Sequence, residues 1–354
     1  MQCRAVGWTS CRNELREFLG SIGNDLCSPF MSWELFDCVQ SVRGDVEAAI
    51  LRQGNCITGF LPFQRRAVDR AIPVASCLND LHGPLGCELS SDELVEVLFA
   101  CGLSRFDFQA APPAEWSTHV NTARAVTAFR ADLGQRPKDY VDWLLTNHYS
   151  VRQQKRKTRA LERKFGPLRL EWESSDTAVF DALLQWKSAD YQRKGIGNLF
   201  SRAWTGELLR RLWLSDGSSD VRGQLSALYA GNSLVAAHYG LRRGCVLHSW
   251  FPAYSDEYAR FSPGIEMFLR VMEHGPAEGV TTFDYGYGAE PFKEKLANHR
   301  YQVMAGSIDL VPWRRALLSL GDSARQHVKK LPWSKGMKKL MRRASATIAP
   351  LRYE

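Results

Sequence analysis

Two short patterns each occur twice in the sequence at the same spacing. Two apolar segments separated by a Gly-Asn pair surround Gly54 and again Gly231, which are 177 positions apart. This pattern predicts a β-hairpin in both places. A glycine followed four residues later by Phe-Asp occurs at Gly102 and at Gly279, again 177 positions apart. Because a duplicated unit keeps the spacing between its turns, the sequence predicts tandem copies of one folding unit.

Each predicted unit consists of helices, a meander of strands, and then a helix, a strand, a helix and a strand. The length of 354 residues accommodates two domains of about 150 residues. We therefore predict an α/β (α+β) fold in which each domain is a mixed, mainly antiparallel sheet flanked by helices. The predicted segments are an N-terminal domain at 1–131, a basic helical connector at 132–169, a C-terminal domain at 170–311 and a basic amphipathic tail at 312–354.

The positive charge of the chain is concentrated in two segments. The net charge is +8, yet residues 312–354 contain eleven Lys and Arg residues against two acidic ones, and residues 151–169 contain eight against one. The rest of the chain is mildly acidic, so we expect neither a diffuse nucleic-acid-binding surface nor a DNA partner.

The tail at 312–354 mixes Leu, Met and Trp with its cations, and three interpretations stay open. It is a helical extension packed on the body, a segment that docks on a membrane surface or a membrane synthase, or a site for another anionic partner. No apolar run approaches the roughly 20 residues that cross a bilayer, and the N-terminus lacks the apolar region of a signal peptide. We expect a cytoplasmic protein, held at the inner face of the membrane under the second interpretation.

Several common kinds of site are not supported by the sequence. The nine cysteines include no Cys-x-x-Cys pair, and no histidines have metal-ligand spacing, so we expect reduced thiols and no metal. There is no Gly-x-Ser-x-Gly motif, no phosphate-binding Walker loop and no dinucleotide fingerprint.

Three motifs resemble the GNAT-like acetyltransferases of the cellulose-biosynthesis (CelD/BcsL-type) family. They are the loop Tyr254–Gly264, the segment Gly279–Lys293, and the helix pair Lys187 and Tyr191; three segments of the first copy, Ser28–Phe30, Gly59–Pro62 and Asn79–Pro84, also fit. The resemblance covers roughly residues 10–310. It implies two GNAT-like domains that use acetyl-CoA to acetylate polysaccharides or related glycans. The family usually has Tyr before the lysine, where this chain has Phe292, so a phenol acting as general acid is not available there.

The segment Gly279–Lys293 is also similar to the Fem-type peptidyltransferases. Those proteins likewise pair two GNAT-like domains, but they take an aminoacyl group from tRNA. A third alternative is a non-catalytic adaptor of a membrane polysaccharide synthase. The first interpretation, an acetyltransferase acting on a glycan or sugar precursor, is the one we favour.

The predicted cofactor-binding residues are consecutive and begin a helix in the second copy. A helix N-terminus points unpaired N–H groups at an anion, and glycine lets a phosphate approach the backbone. The alternative is an ordinary helix start with Ser262 as N-cap. The predicted residues for the acetyl-CoA diphosphate are Arg260, Phe261, Ser262, Pro263 and Gly264.

The candidate catalytic residues are Asp284, Lys293 and His238. Asp284 is at the end of a strand predicted to be buried and is a candidate to orient or deprotonate a hydroxyl; the alternative is an Asx-type turn that holds its own backbone. Lys293 is a candidate to meet a developing oxyanion, and the alternative is a solvated lysine. His238 is a candidate base, and the alternative is a core histidine.

Acceptor binding is predicted at five residues. Lys187 and Tyr191 share one helix face, and aromatic faces stack on sugar rings. The full predicted set is Lys187, Tyr191, Asp80, His82 and Tyr285. Direct transfer without a covalent enzyme intermediate is expected, because no Cys or Ser is placed as a nucleophile.

Overall fold

The structure is a computed structural model, and it describes residues 2–22, 28–120, 122–134, 138–215, 219–288 and 290–311. The predicted basic tail at 312–354 lies outside the described residues. None of the described helices combines the length and the hydropathy that a membrane span requires.

Two repeats with the same order of elements make up the described chain. The first contains β1 (Gln2–Gly7), α1 (Trp8–Ser21), α2 (Trp33–Arg43), β2 (Val46–Gln53), β3 (Cys56–Ala67), β4 (Arg70–Ile72), α3 (Ser91–Ala100), β5 (Arg105–Ala111), α4 (Glu115–Thr118) and β6 (Arg124–Asp132). Helices α5 (Asp139–Asn147) and α6 (Tyr149–Phe165) follow. The second contains β7 (Leu168–Glu171), α7 (Thr177–Lys194), α8 (Ala203–Trp213), β8 (Val221–Ala230), β9 (Ser233–Arg243), β10 (Val246–Tyr254), α9 (Pro263–His274), β11 (Thr282–Tyr287), α10 (Pro291–Leu296) and β12 (His299–Asp309).

The offset of 177 residues is kept at the level of strand register. Gly54 and Gly231 both have positive φ angles, of 60° and 57°, in two-residue hairpin turns. A register shift follows Leu51 in the first hairpin and Leu228 in the second, again 177 residues apart. A duplicated hairpin keeps its bulge because the bulge sets the local twist. The predicted duplication is therefore confirmed.

Each of the two compact units has a mixed sheet of six strands. One unit comprises the described residues up to Ile22, 30–127 and those from Gln302 onward, with the strand order β1-β2-β3-β4-β5-β12. The other comprises 28–29 and 128–301, with the order β7-β8-β9-β10-β11-β6. One parallel pair occurs in each, β4 with β5 and β10 with β11, and the other pairs recorded are antiparallel. This confirms the predicted mixed, mainly antiparallel sheets; the four-segment division of the sequence stays a prediction.

Local sequence explains some helix boundaries, and packing explains others. Ser90 and Glu93 form a reciprocal capping box at the start of α3, and the sequence predicts this helix over the same residues, Ser91–Ala100. The sequence predicts the first helix over Arg12–Ile22, and the structure begins α1 four residues earlier, at Trp8. The earlier start has a packing cause, because Trp8, Cys11 and Leu15 recur on one face and are buried together.

Candidate active site

The two parallel strands of the second repeat separate after three paired residues. Val246–His248 of β10 pair with Thr282–Asp284 of β11, and no pairing between the strands continues beyond them. Strand β10 runs on to Tyr254 and β11 to Tyr287, each with a register shift against its other neighbour at this level. We call the opening between Ser249–Tyr254 and Tyr285–Tyr287 the β10–β11 split. Strand edges that face such an opening offer backbone groups to an extended ligand.

Helix α9 follows β10 after a short connection. No side-chain hydrogen bond caps its N-terminus. Ser262, the N-cap residue, has φ 54° and ψ 52°, and its Oγ accepts a hydrogen bond from Lys157 Nζ at 2.8 Å instead of capping the helix. Pro263 has no N–H, and no described residue accepts from the Gly264 N–H. A donor without a partner beside a lysine ammonium suits a phosphate.

The other residues of the predicted cofactor loop divide into an anchor and an exposed cation. Phe261 is buried, and its carbonyl accepts from Gln154 Nε2 at 3.0 Å, so it holds the loop on α6. Arg260 is exposed, with its guanidinium 4.6 Å from the Phe261 ring centroid. The structure thus leaves Arg260 and Gly264 accessible, and it adds Lys157, which the sequence prediction missed.

Two lysines lie at the ends of the diverging strands. Lys293 is buried, and its Nζ donates to the Tyr287 carbonyl at 2.6 Å and lies 3.2 Å from Glu290. Lys187 on α7 donates to the Pro252 carbonyl of β10 at 3.4 Å. No carboxylate of the described residues lies within ion-pairing distance of Lys187. Burial lowers the pKa of Lys187 to about 8, with Asp190 opposing the shift.

Asp284 lies at the base of the β10–β11 split, and its carboxylate accepts several hydrogen bonds. Tyr301 donates to its two oxygens at 3.0 and 2.9 Å, the Gly286 N–H donates at 2.7 Å, and His248 Nδ1 lies at 3.8 Å. Burial raises the pKa of Asp284, but the hydrogen bond and charge of His248 and the donors above outweigh it, so the net direction is downward. A carboxylate with a lowered pKa is a poor base at neutral pH, and the Gly286 contact is the predicted alternative, an Asx turn.

These features agree with the family comparison. Residues 150–294 match the family model described as Acetyltransferase (GNAT) domain. This segment, which extends from α6 to α10, is therefore similar to a GNAT acetyltransferase domain. Acyl transfer is the activity of this domain class, and its usual donor is an acyl-CoA. The match contains the β10–β11 split, the start of α9 and both lysines.

Solved structures similar to the whole chain share its fold. The structure of FemX has a TM-score of 0.54 at 11% identity, covering 90% of this chain and 100% of that chain. The C-terminal domain (DUF2156) of a putative lysylphosphatidylglycerol synthetase from Agrobacterium fabrum has 0.51 at 14%, covering 82% and 95%. A conserved protein of unknown function from Bacteroides thetaiotaomicron has 0.51 at 8%, covering 84% and 97%. No curated protein matches the sequence.

Two predicted site residues of the second repeat lie in its core instead of at the split. His238 is fully buried, with Nε2 2.9 Å from Ser249 Oγ and its ring against Phe268 and Phe283. Burial, with a smaller effect of His248, lowers the pKa of His238 to about 3. Tyr285 is also buried and donates to Met272 Sδ at 3.1 Å. Both side chains are buried, and for His238 this favours the alternative of a core histidine.

His82 occupies the opening of the first repeat that corresponds to the β10–β11 split. Strands β4 and β5 pair over only two residues. Beyond them, the N–H groups of Gln109 and Ala110 donate to His82 Nε2 at 3.2 and 3.3 Å, and the His82 N–H donates to Ala110 O. Asp80 belongs to the same half-buried loop. The imidazole therefore satisfies strand groups that a ligand would otherwise meet.

The two repeats differ at both positions that would hold an acyl-CoA. In the first, the loop of His82 fills the strand opening, and the capping box of Ser90 and Glu93 satisfies the start of α3. In the second, strand pairing ends at His248 and Asp284, and beyond them only Lys187 and Lys293 of the described residues are recorded as donating across the split, to one carbonyl of each strand. The Gly264 N–H at the start of α9 has no acceptor among the described residues. This difference supports the predicted placement of the cofactor in the second copy. Among the described residues, no group of three or more His, Cys, Asp or Glu side chains is arranged to hold a metal ion.

Acid pH is expected to destabilise the protein through His82 and His238. Burial lowers both pKa values from 6.5 to about 3, so the unfolded chain binds more protons between those pH values. The stabilising contribution of each histidine to the free energy of unfolding is therefore fully present above about pH 6.5. It decreases as the pH falls toward about 3. We expect each histidine to contribute about 2–3 kcal/mol to the loss between pH about 7 and about 4.5, measured by urea unfolding.

The control is the exposed His119, since His119→Gln is expected to leave this pH dependence unchanged. His82→Gln is expected to lower stability at neutral pH and to flatten the dependence. An equal pH dependence of His82→Gln and the unmutated chain would contradict the prediction.

Proposed function

We propose that this chain transfers an acetyl group from acetyl-CoA directly to a glycan or sugar-precursor acceptor. One observation carries the proposal: the β10–β11 split and the uncapped start of α9 occur together in the second repeat, whereas the corresponding opening and helix start of the first repeat are occupied by its own side chains.

The residues present fit the two polar parts of the donor. The Gly264 N–H, with the Lys157 ammonium nearby and the exposed Arg260, provides donors for a diphosphate. The edges of the β10–β11 split provide backbone groups for the amides of a pantetheine arm, as an edge strand does for an added strand. Bound in this way, acetyl-CoA supplies the acetyl group as a thioester.

Lys187 and Lys293 are assigned different tasks in the transfer. Lys187, with a pKa of about 8, is the base that accepts the proton of the acceptor hydroxyl or amine at Nζ as the acceptor bonds to the acetyl carbon. The acetyl C–S bond breaks, and the CoA thiolate leaves with the proton that Lys187 accepted. Lys293, held by the Tyr287 carbonyl and Glu290, stabilises the negative charge that develops on the acyl oxygen. Asp284 is a positioning residue, since it fixes the turn at Gly286 and the Tyr301 hydroxyl.

An aromatic group next to Lys187 supports a sugar-containing acceptor. The Lys187 ammonium lies 5.5 Å from the Tyr191 ring centroid, and Tyr191 stacks on Phe200 at 6.1 Å. Phe200 in turn contacts Phe251 of β10 at 5.2 Å. Tyr191 and Phe200 are only partly buried, and partly exposed aromatic faces bind the apolar faces of sugar rings.

Titration calorimetry with acetyl-CoA tests the donor assignment. We expect micromolar binding by the unmutated chain and a loss of at least tenfold for Gly264→Trp, because the indole covers the α9 N-terminus. A Cβ at position 264 would lie 3.2 Å from the Tyr254 ring, which is 40% exposed and able to move, so the variant should fold.

The matched control is Asp92→Trp in the first turn of α3, the self-capped helix of the first repeat. This exposed substitution should leave acetyl-CoA affinity unchanged. Absence of acetyl-CoA binding by the unmutated chain, or equal weakening by both variants, would remove the donor assignment.

A further inference from the structure

The outer face of α6 contains a row of four arginines. Val151, Gln154, Thr158 and Leu161 form its buried face, which is fastened to α9 by a hydrogen bond from Thr158 to Glu266 at 2.6 Å. At 100° per residue, the opposite face contains the residues that we call the arginine row, Arg152, Arg156, Arg159 and Arg163. All four are exposed, whereas Lys157 lies on the side of the helix that meets Ser262.

The cations of α6 are not balanced by the rest of the described chain. Seven Lys and Arg residues lie on this helix, and no carboxylate of the described residues is within ion-pairing distance of any of them. Other surface helices pair their cations, as in Lys194 with Asp190 at 2.7 Å and Arg211 with Glu207 at 2.7 Å. Like charges three and four residues apart repel each other and destabilise a helix. An external polyanion would remove this repulsion.

The arginine row borders a site large enough for a phosphate headgroup. Arg156, Arg159 and Arg163, with Glu162, line a shallow depression of about 490 Å³. At the N-terminal end of the helix, Tyr149 is 67% exposed, and Trp143 of the preceding helix is 42% exposed. Exposed Trp and Tyr next to a row of Arg and Lys are typical of surfaces that lie at the headgroup level of a bilayer.

We propose that the arginine row of α6 is a docking surface for a membrane that contains anionic phospholipids. Charge complementarity selects an anionic partner, and the aromatic residues at one end favour a lipid interface. The inference is independent of the acetyl donor and of the tail at 312–354, because it depends on described residues of α5 and α6 alone.

Vesicle co-sedimentation of the full chain tests the proposal. We expect binding to vesicles of phosphatidylcholine mixed with phosphatidylglycerol, little binding to phosphatidylcholine alone, and weaker binding as salt rises. Replacing Arg156, Arg159 and Arg163 together by glutamine should weaken binding about a hundredfold, since each cation near an anionic surface contributes about fivefold. The three side chains are exposed, so folding should be preserved.

A control variant with the same change in charge separates docking from net charge. Arg70→Gln, Arg124→Gln and Lys295→Gln, combined, alter three exposed cations elsewhere and should change vesicle binding by no more than about twofold. Equal losses in both triple variants, or no loss in the α6 variant, would overturn the proposal. So would tight binding of the unmutated chain to RNA without binding to anionic vesicles.

Discussion

Lys293→Ala is expected to lower kcat for acetyl transfer by about 10²–10³, with acetyl-CoA affinity changed less than about threefold. The Lys293 side chain is 11% exposed, and its ammonium is fixed by the Tyr287 carbonyl at 2.6 Å and by Glu290 at 3.2 Å. A charge held at the end of the β10–β11 split requires little reorganisation when the acyl oxygen becomes negative. The measurement is thiol release from acetyl-CoA with a saccharide acceptor that supports turnover, combined with calorimetry.

Lys295 provides the matched control on the same helix. It is exposed two residues further along α10, so Lys295→Ala should retain full turnover. Circular dichroism would establish that both variants fold. If the Lys293→Ala variant has the same kcat as the unmutated chain, Lys293 has no part in the transfer. This conclusion would hold for any effect of the variant on acetyl-CoA affinity.

The second expected result is a rise of kcat/KM with pH through about 8, which disappears in Lys187→Arg. A base must be deprotonated to act, and burial lowers the pKa of Lys187 from 10.5 to about 8. An arginine stays protonated, so the variant should lose about 10²–10⁴ in kcat/KM and show no rise near pH 8. The control is Lys295→Met, an exposed lysine of α10 that should leave the pH profile unchanged. An unaltered profile in Lys187→Arg would exclude Lys187 as the base.

A measurement of stability distinguishes this role from a structural one. The folded-state pKa of Lys187 is lower than its unfolded value, so the charged side chain destabilises the folded state at all pH values below about 8. That destabilisation disappears as the pH rises toward 10.5. Lys187→Met should therefore raise Tm at neutral pH by about 1–3 °C while lowering activity. When removing a side chain raises the stability of a protein but lowers its activity, that residue is typically retained for function.

Much of the fold followed from short-range patterns. The Gly-Asn turns at Gly54 and Gly231 predicted the hairpins, and the structure adds that their bulges also recur at the same offset. The capping residues Ser90 and Glu93 mark the start of α3 and lie close together in the sequence. Such features are predictable because turns and caps depend on neighbours within about five residues.

The candidate site was predictable only in part. The loop at Gly264 and the lysines Lys187 and Lys293 do lie along the β10–β11 split or its adjoining helix. Lys157 and Tyr301 were missed, since each reaches the site across more than fifteen positions of sequence, to Ser262 and Asp284 respectively. The one signal for Lys157 was its place in the basic run at 151–169.

By itself, the sequence determined the duplication, the order of the elements and which segments are strongly basic, because these depend on spacing and composition. Only the tertiary structure decided that His82 fills the strand opening of the first repeat, that His238 is a core residue and that Lys187 has a lowered pKa. Burial and the supply of hydrogen-bond partners arise from strands and helices that are far apart in the chain. The chemistry of a side chain therefore depends on contacts that local patterns do not encode.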